Sequence, residues 1–194
     1  MPARKTPLLW NEFPCFDFVD SEFTDHAGSG RRFDRLSSAE WQRSFLAHWG
    51  WKAPSPASPA MLRALYDLRL RLRRLLTQAS RGSAPSRSEL RHLNELLAAS
   101  RFTYAITTGN QVVAIPVAQD WNTVAAELVR SALNVLTQHD ASRVKVCANP
   151  DCEWMFYDES LNRTRRWCQT NVCGNMVRVR EYRRRQARES TATA

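Results

Sequence analysis

Four cysteines near the end of the chain have the residue type and the spacing that metal binding requires. They form two close pairs, Cys147-x4-Cys152 and Cys168-x4-Cys173, and 15 residues separate the pairs. Thiolates suit Zn²⁺ because the ion is borderline soft and accepts four tetrahedral ligands at about 2.3 Å. Four cysteine ligands leave no position open for water or substrate. The spacing therefore predicts a structural zinc site rather than a catalytic one.

Other chemistry is open to the same cysteines: disulfides, a catalytic thiol or an iron–sulfur cluster. Residues 1–14 contain no apolar run of the roughly 7–15 residues that a signal peptide needs. A reducing, cytoplasmic location is therefore expected, and it disfavours disulfides. The fifth cysteine, Cys15, lies among large apolar residues and is predicted to be a buried core thiol.

Positive charge is concentrated in the segment that holds the four cysteines. The chain has 28 lysines and arginines against 19 acidic residues, a formal charge of +9. Residues 143–188 carry 11 of the basic residues and 5 of the acidic ones. A basic excess on one module favours a polyanionic partner such as nucleic acid.

A basic helix is predicted to begin at Gly174 and to contact nucleic acid. Arginines recur along it at helical spacing, with a tyrosine among them. Guanidinium groups suit bidentate contacts with phosphate or guanine, and a tyrosine ring can stack on a base or sugar. The turn ahead of Cys168 adds further arginines. The predicted contacts are Arg163, Arg165, Arg178, Arg180, Tyr182, Arg184, Arg185 and Arg188.

Some of these arginines have an alternative role. A zinc ion with four thiolates carries a net charge of about −2, which nearby guanidinium groups can compensate. Arginines can also bind acidic faces of the preceding domain. This alternative applies most to Arg166 and Arg178, which lie close to the metal in sequence, and least to Arg184, Arg185 and Arg188.

The residues before the cysteines predict several helices. Capping boxes at Ser37-Ser-Ala-Glu40 and at Ser86-Arg-Ser-Glu89 each mark a helix start, and Ser58-Pro59 marks another. Apolar residues recur with helical period from Met61 to Ala79. The arginines beside that apolar stripe are expected to form a solvated face, with a second nucleic-acid patch as the alternative.

A β-hairpin and a long helix complete this part of the chain. Residues 102–116 have the β-branched and aromatic content of two strands, and Gly109-Asn110 marks the turn between them. The long helix is expected over about residues 117–139. The predicted fold class is mainly α with a small β-hairpin: an α-rich domain of residues 1–140, a zinc module of β-hairpin plus helix over 141–188, and a disordered tail over 189–194.

The C-terminal part resembles the CGNR zinc finger, a family named for its Cys-Gly-Asn-Arg stretch. The resemblance rests on both cysteine pairs and on the motifs Phe156-Tyr-Asp158, Arg165-Arg-Trp-Cys168 and Cys173-Gly-Asn175. Upstream, Cys15-Phe-Asp-Phe-Val-Asp20 resembles the opening signature of the ABATE domain, which precedes the finger in this family. The helix around Leu65-Tyr-Asp-Leu-Arg69 fits the same domain.

The resemblance implies a bacterial, stress-induced transcription regulator. Its zinc would be bound by Cys147, Cys152, Cys168 and Cys173, and its ABATE domain would sense a ligand. One position departs from the family pattern: Met176 stands where the family has arginine. A contact made by that arginine is then absent here or moves to Arg178.

The leading hypothesis is a zinc-dependent DNA-binding regulator whose N-terminal domain senses a ligand or mediates dimerisation. RNA binding, with Tyr182 and Trp167 stacking on bases, is an alternative, and so is a redox switch in which thiolate oxidation ejects zinc. No heptad pattern supports a homodimer. An enzyme is the least favoured class because the four histidines lie in unrelated segments and no glycine-rich phosphate loop occurs. No apolar window is long enough to span a membrane.

Overall fold

A computed structural model of the chain describes residues 10–26 and 29–192. Its helices are α1 (Pro14–Val19), α2 (Ala39–His48), α3 (Pro59–Ser80), α4 (Arg87–Ala98), α5 (Trp121–Thr137) and α6 (Asn175–Ala192). Its strands are β1 (Glu22–Thr24), β2 (Arg32–Asp34), β3 (Phe102–Ile106), β4 (Val112–Pro116), β5 (Val144–Val146) and β6 (Met155–Tyr157). Consecutive strands pair as three antiparallel hairpins. The predicted fold class, mainly α with small β-hairpins, is therefore confirmed.

Side-chain caps fix where the helices begin. The hydroxyl of Ser58 accepts from the backbone of Met61 at the start of α3, and Ser86 with Glu89 forms the predicted capping box of α4. The start of α2 was predicted one residue too early. Its cap is Ser38, because the chain is still in a tight turn at Ser37. Two adjacent serines offer the same cap chemistry, so the sequence does not distinguish them.

The core lies between α1, α2, α3 and α5. The inward face of α5 is as expected, with Val124, Leu128 and Ala132 buried. Cys15 is fully buried, as predicted for a core thiol, and burial raises the pKa of its thiol to about 12. In the described part of the chain, no helix has the length and apolar character needed to cross a bilayer.

The zinc module shares this core. Val144 and Met155, from the hairpin β5–β6, pack in the same apolar cluster as the helices. The buried carboxylate of Asp20 accepts the backbone N–H of Met155 at 3.0 and 3.1 Å. Arg73 donates to Asp20 at 3.1 Å and to the carbonyl oxygen of Glu153 at 2.9 Å. The predicted boundary near residue 140 is therefore crossed by buried contacts.

Two arginines of α3 correct the expectation of a solvated face. Arg69 is only 6% exposed, and its guanidinium donates to both carboxylate oxygens of Asp34 at 2.7 and 2.8 Å. Arg73 binds the zinc module as described above. Arg69 lies on the apolar face of α3, four residues after Leu65 and three before Leu72, and Arg73 lies beside that face. The partners of both arginines come from distant segments. At the other end of the chain, α6 continues to Ala192, so the predicted tail of residues 189–194 lies partly in this helix and partly outside the described residues.

Candidate metal centre and nucleic-acid interface

The four cysteine sulfurs lie together at the base of α6. All four side chains are buried, and their Sγ atoms lie within 4.8 Å of one another. The Sγ of Cys168 is 3.5 Å from that of Cys152 and 3.6 Å from that of Cys173. A tetrahedron of sulfurs about 2.3 Å from zinc has edges of about 3.8 Å. The donor set and its spacing therefore fit a closed tetrahedral zinc site.

Two local structures place the cysteine pairs. The hairpin β5–β6 carries Cys147 and Cys152, and the amide of Cys147 donates to the carbonyl of Trp154 at 2.8 Å. In the second pair, Cys168 precedes a short π-helical turn, Thr170–Gly174, and Cys173 lies within this turn, which leads directly into α6. Metal binding at Cys173 would thus fix the first turn of α6.

Gly174 is required where that turn passes Trp167. A Cβ at Gly174 would lie 3.1 Å from Cε3 and 3.3 Å from Cδ2 of the indole ring. Real Cβ atoms rarely approach other atoms so closely. The ring of Trp167 therefore favours glycine at this position.

Hydrogen bonds among the four sulfurs shift the pKa values of the cysteines in opposite directions. Contact with Cys147 raises the pKa of Cys152 and of Cys168 and lowers that of Cys173. Contact with Cys152 lowers the pKa of Cys147 to about 6. The bare cluster favours a mixture of thiols and thiolates, because four negative charges in one buried place repel one another. A divalent cation removes this conflict by stabilising all four thiolates.

His26 of the N-terminal domain contacts this cluster. Its Nε2 lies 3.1 Å from the Sγ of Cys173, and its Nδ1 lies 3.0 Å from the carbonyl oxygen of Thr24. The side-chain amide of Asn149 also approaches the Sγ of Cys173, at 3.7 Å. Sequence reasoning missed His26 because 147 residues separate it from Cys173 and no local pattern marks it. The sulfur of Cys173 therefore links the N-terminal domain to the base of α6.

Profiles of two known families match the chain. Residues 143–186 match the CGNR zinc finger, and residues 12–139 match ABATE, described as "Putative stress-induced transcription regulator". The second match covers most of the chain. This protein belongs to the ABATE family. None of the curated proteins compared with the chain matches it. The four cysteines are thus those of a CGNR finger that follows an ABATE domain.

Three of the predicted nucleic-acid contacts are engaged inside the protein. The guanidinium of Arg165 donates to the carbonyl oxygens of Trp167 and Cys168 and lies over the ring of Phe156. Arg163 pairs with Asp140 at 2.9 Å. Arg180 pairs with Asp151 at 2.5 Å. These side chains hold the loops of the CGNR finger.

The indole of Trp167 holds two further arginines. The guanidinium carbons of Arg166 and Arg178 lie 5.2 and 5.3 Å from its ring centroid. Both arginines therefore contact the finger itself, through an aromatic ring and not through the thiolates or an acidic face. Because the ring is stacked with cations and packed on Gly174, it is also a poor platform for a nucleic-acid base.

The remaining predicted contacts lie on the free part of α6. Every side chain from residue 181 to residue 188 is exposed, and Tyr182 is 60% exposed. Among the described residues, no ion pair or hydrogen bond engages the guanidinium groups of Arg184, Arg185 and Arg188. This exposed length of the helix presents its arginines to solvent.

Asp158, the last residue of the motif Phe156-Tyr-Asp158, is a buried acidic residue of the finger. Asp158 is buried and accepts from Lys145 at 2.5 Å and from the hydroxyl of Ser160 at 2.6 Å. Burial acts to raise the pKa of Asp158, but these hydrogen bonds outweigh it and lower the pKa to about 2. This carboxylate ties β6 to the loop that leads towards Cys168.

Proposed function

We propose that this protein is a zinc-dependent DNA-binding transcription regulator that acts by binding rather than by catalysis. One observation carries the proposal: α6 leaves a closed four-cysteine site and extends into solvent with exposed arginines. Zinc fixes the first turn of the helix through Cys173, and the free part of the helix contacts the polyanion. Zinc binding typically contributes roughly 10–16 kcal/mol to the folding of such modules. Loss of the metal should therefore abolish binding.

The contacts fall into two groups. Arg184, Arg185 and Arg188 would form the main phosphate contacts, with Tyr182 beside them. The other predicted residues, Arg163, Arg165, Arg178 and Arg180, have partners within the protein, and they would contribute by holding the shape of the finger. Guanidinium groups without protein partners are free to release condensed counterions from DNA when they bind it.

The test is a titration of purified, zinc-loaded protein against genomic duplex fragments at two salt concentrations. A second series contains a strong chelator. Fragment-selective binding that the chelator abolishes supports the proposal. Binding that is insensitive to chelator, or absent at low salt, would remove the zinc-dependent regulator as an explanation.

RNA is the alternative nucleic acid. The structure weakens the stacking argument for it, because Trp167 is occupied by its own arginines and only Tyr182 remains open. Competition between duplex DNA and structured RNA at matched salt separates the two. Stronger competition by RNA would reassign the partner.

We further propose that the ABATE domain senses a small ligand. A groove of about 440 Å³ lies between β4, the connector after α2 and the start of α5. Trp49, Trp51 and Ile115 supply apolar walls, and the ion pair of Glu127 with Arg130 supplies charge. This volume lies within the roughly 300–1,000 Å³ range of ligand sites. Native mass spectrometry of protein purified from its host should show a bound small molecule, which Ile115→Trp would exclude.

A redox switch is the second candidate, and one cavity favours it. A pocket of about 100 Å³ beside the metal centre is lined by Cys152, Cys168 and Cys173. Arg35 also lines it, and a neighbouring cation makes a thiolate more reactive. Peroxide would oxidise one thiolate to a sulfenic acid, and a second cysteine would condense with it to a disulfide with loss of water. Zinc release under mild peroxide supports the switch, and retention of zinc would refute it.

A further inference from the structure

The hairpin β3–β4 exposes an apolar surface in a highly charged protein. Residues 102–119 contain no charged side chain, although 24% of the chain is charged. On one face of the hairpin, Tyr104 and Ile106 are each 74% exposed and Val112 is 69% exposed. A hairpin with one face in water normally turns polar residues towards it. Large exposed apolar patches mark interaction sites.

The two faces of the hairpin differ. Directly opposite residues share a face, so the register places Tyr104 with Ala114 and Ile106 with Val112 on the outer face. Val113 and Ile115 occupy the other face and are less exposed, at 36% and 46%. The less exposed face lies towards the body of the ABATE domain. The more apolar face is thus also the more exposed one.

The strand β3 also has a free edge of backbone groups. Thr107 donates to the carbonyl of Gln111, and Val117 donates to the carbonyl of Arg101, both at 2.9 Å. Hydrogen-bonded pairs alternate with non-bonded pairs along an antiparallel hairpin. The N–H and C=O groups of Phe102, Tyr104 and Ile106 therefore point away from β4. Among the described residues, none of these groups has a hydrogen-bond partner.

The edge of β4 is less suited to pairing. Its outward groups belong to Val112, Ala114 and Pro116, and proline has no N–H to donate. Residues of β4 also border the groove next to α5. Exposed strand edges are usually protected by charge, by proline or by a bulge. The edge of β3 has none of these protections.

We propose that the edge of β3 pairs with the β3 edge of a second copy of this protein, which makes a continuous four-stranded sheet. A two-fold axis at Tyr104 places Phe102 of each copy opposite Ile106 of the other. The paired edges then exchange about six backbone hydrogen bonds. The interface is isologous, as in most homodimers.

A second copy suits this surface better than a charged partner does. An acidic protein or nucleic acid would be drawn to the arginines, whereas this hairpin carries no charge. Two molecules of charge +9 can approach here without placing like charges in contact. The side chains next to the seam also suit a second copy: Tyr104 and Ile106 are each 74% exposed, and Phe102 of one copy would lie beside Ile106 of the other.

The test measures oligomeric state without DNA, so its result is independent of the proposed function. Sedimentation velocity of zinc-loaded, full-length protein should show a dimer with a dissociation constant on the order of 1 µM or tighter. Ile106→Lys should weaken it by roughly 10-fold, because it replaces the apolar contact with Phe102 of the other copy by a charge, twice in each dimer. The matched control is Leu161→Lys, which changes an apolar residue that is 96% exposed elsewhere and should leave the dimer intact.

A pair of proline variants identifies the edge. Tyr104→Pro removes an outward N–H of β3, and Ala114→Pro removes the opposite outward N–H of β4. Neither N–H is bonded within the hairpin, so the fold should tolerate both changes. Only Tyr104→Pro should weaken the dimer, and the Co²⁺ absorption spectrum of the metal site should be unchanged in both. A wild type that stays monomeric at every concentration, or a dimer that survives Tyr104→Pro, would overturn the proposal.

Discussion

Neutralising the three exposed arginines of α6 should change the salt dependence of DNA binding in a calculable way. In the triple variant Arg184→Gln, Arg185→Gln, Arg188→Gln, each lost phosphate contact lowers the slope of log K against log [salt] by about 0.9. Loss of all three contacts should make the negative slope shallower by up to about 2.7. Near physiological salt this corresponds to a loss of roughly 100-fold in affinity. Glutamine keeps the side-chain length and helix propensity, so the variant isolates the charge.

A matched triple variant controls for net charge. Arg63→Gln, Arg87→Gln and Arg91→Gln remove the same charge from exposed positions on α3 and α4. Fluorescence anisotropy with a duplex fragment, measured over a salt series, gives both slopes. The α6 variant should lose slope while the control keeps nearly the wild-type value. Equal slopes for the two variants would refute the assignment of these arginines to the interface.

The remaining predictions concern the zinc site and the core. Gly174→Ala should destabilise the zinc-loaded protein by about 1–3 kcal/mol in denaturant unfolding, because its methyl group would overlap the Trp167 ring. His26→Ala should weaken zinc binding by roughly 10–100-fold in chelator competition, since it removes the partner of Cys173; unchanged affinity would contradict this role. Burial raises the pKa of Asp17 to about 7. Because its folded-state pKa lies above its unfolded value of about 3.9, ionisation lowers the wild-type free energy of unfolding between about pH 4 and pH 7. In the wild type this decline amounts to up to about 4 kcal/mol. Asp17→Asn should abolish it, which denaturant unfolding at several pH values would show.

Local sequence patterns predicted much of this protein because local chemistry determines those features. The cysteine spacing located the candidate zinc site, and serine caps located the starts of α3 and α4. The hairpin of residues 102–116 followed from its β-branched content and from the turn at Gly109-Asn110, where Asn110 adopts a left-handed conformation. Each of these features depends on residues that lie close together in the chain.

Features that depend on distant partners could not be predicted in the same way. Helical periodicity places Arg69 on the apolar face of α3, but the ion pair that permits its burial depends on Asp34, which lies 35 residues away. The ion pair of Arg163 depends on Asp140, which lies 23 residues earlier in the chain. The contact of His26 with Cys173 exists only because the N-terminal domain and the finger share a core.

That shared core gives ligand binding and DNA binding a physical route of coupling under the proposed function. His26 contacts Cys173, which lies in the turn that leads into α6, and Asp20 accepts the backbone N–H of Met155 in β6. A ligand that shifted the loop holding His26 would disturb the support of the metal site and the direction of α6. By linkage, a ligand that changes DNA affinity by some factor must have its own affinity changed by DNA to the same extent. Measuring both affinities in one thermodynamic cycle would show whether the ABATE domain regulates the finger or only holds it in place.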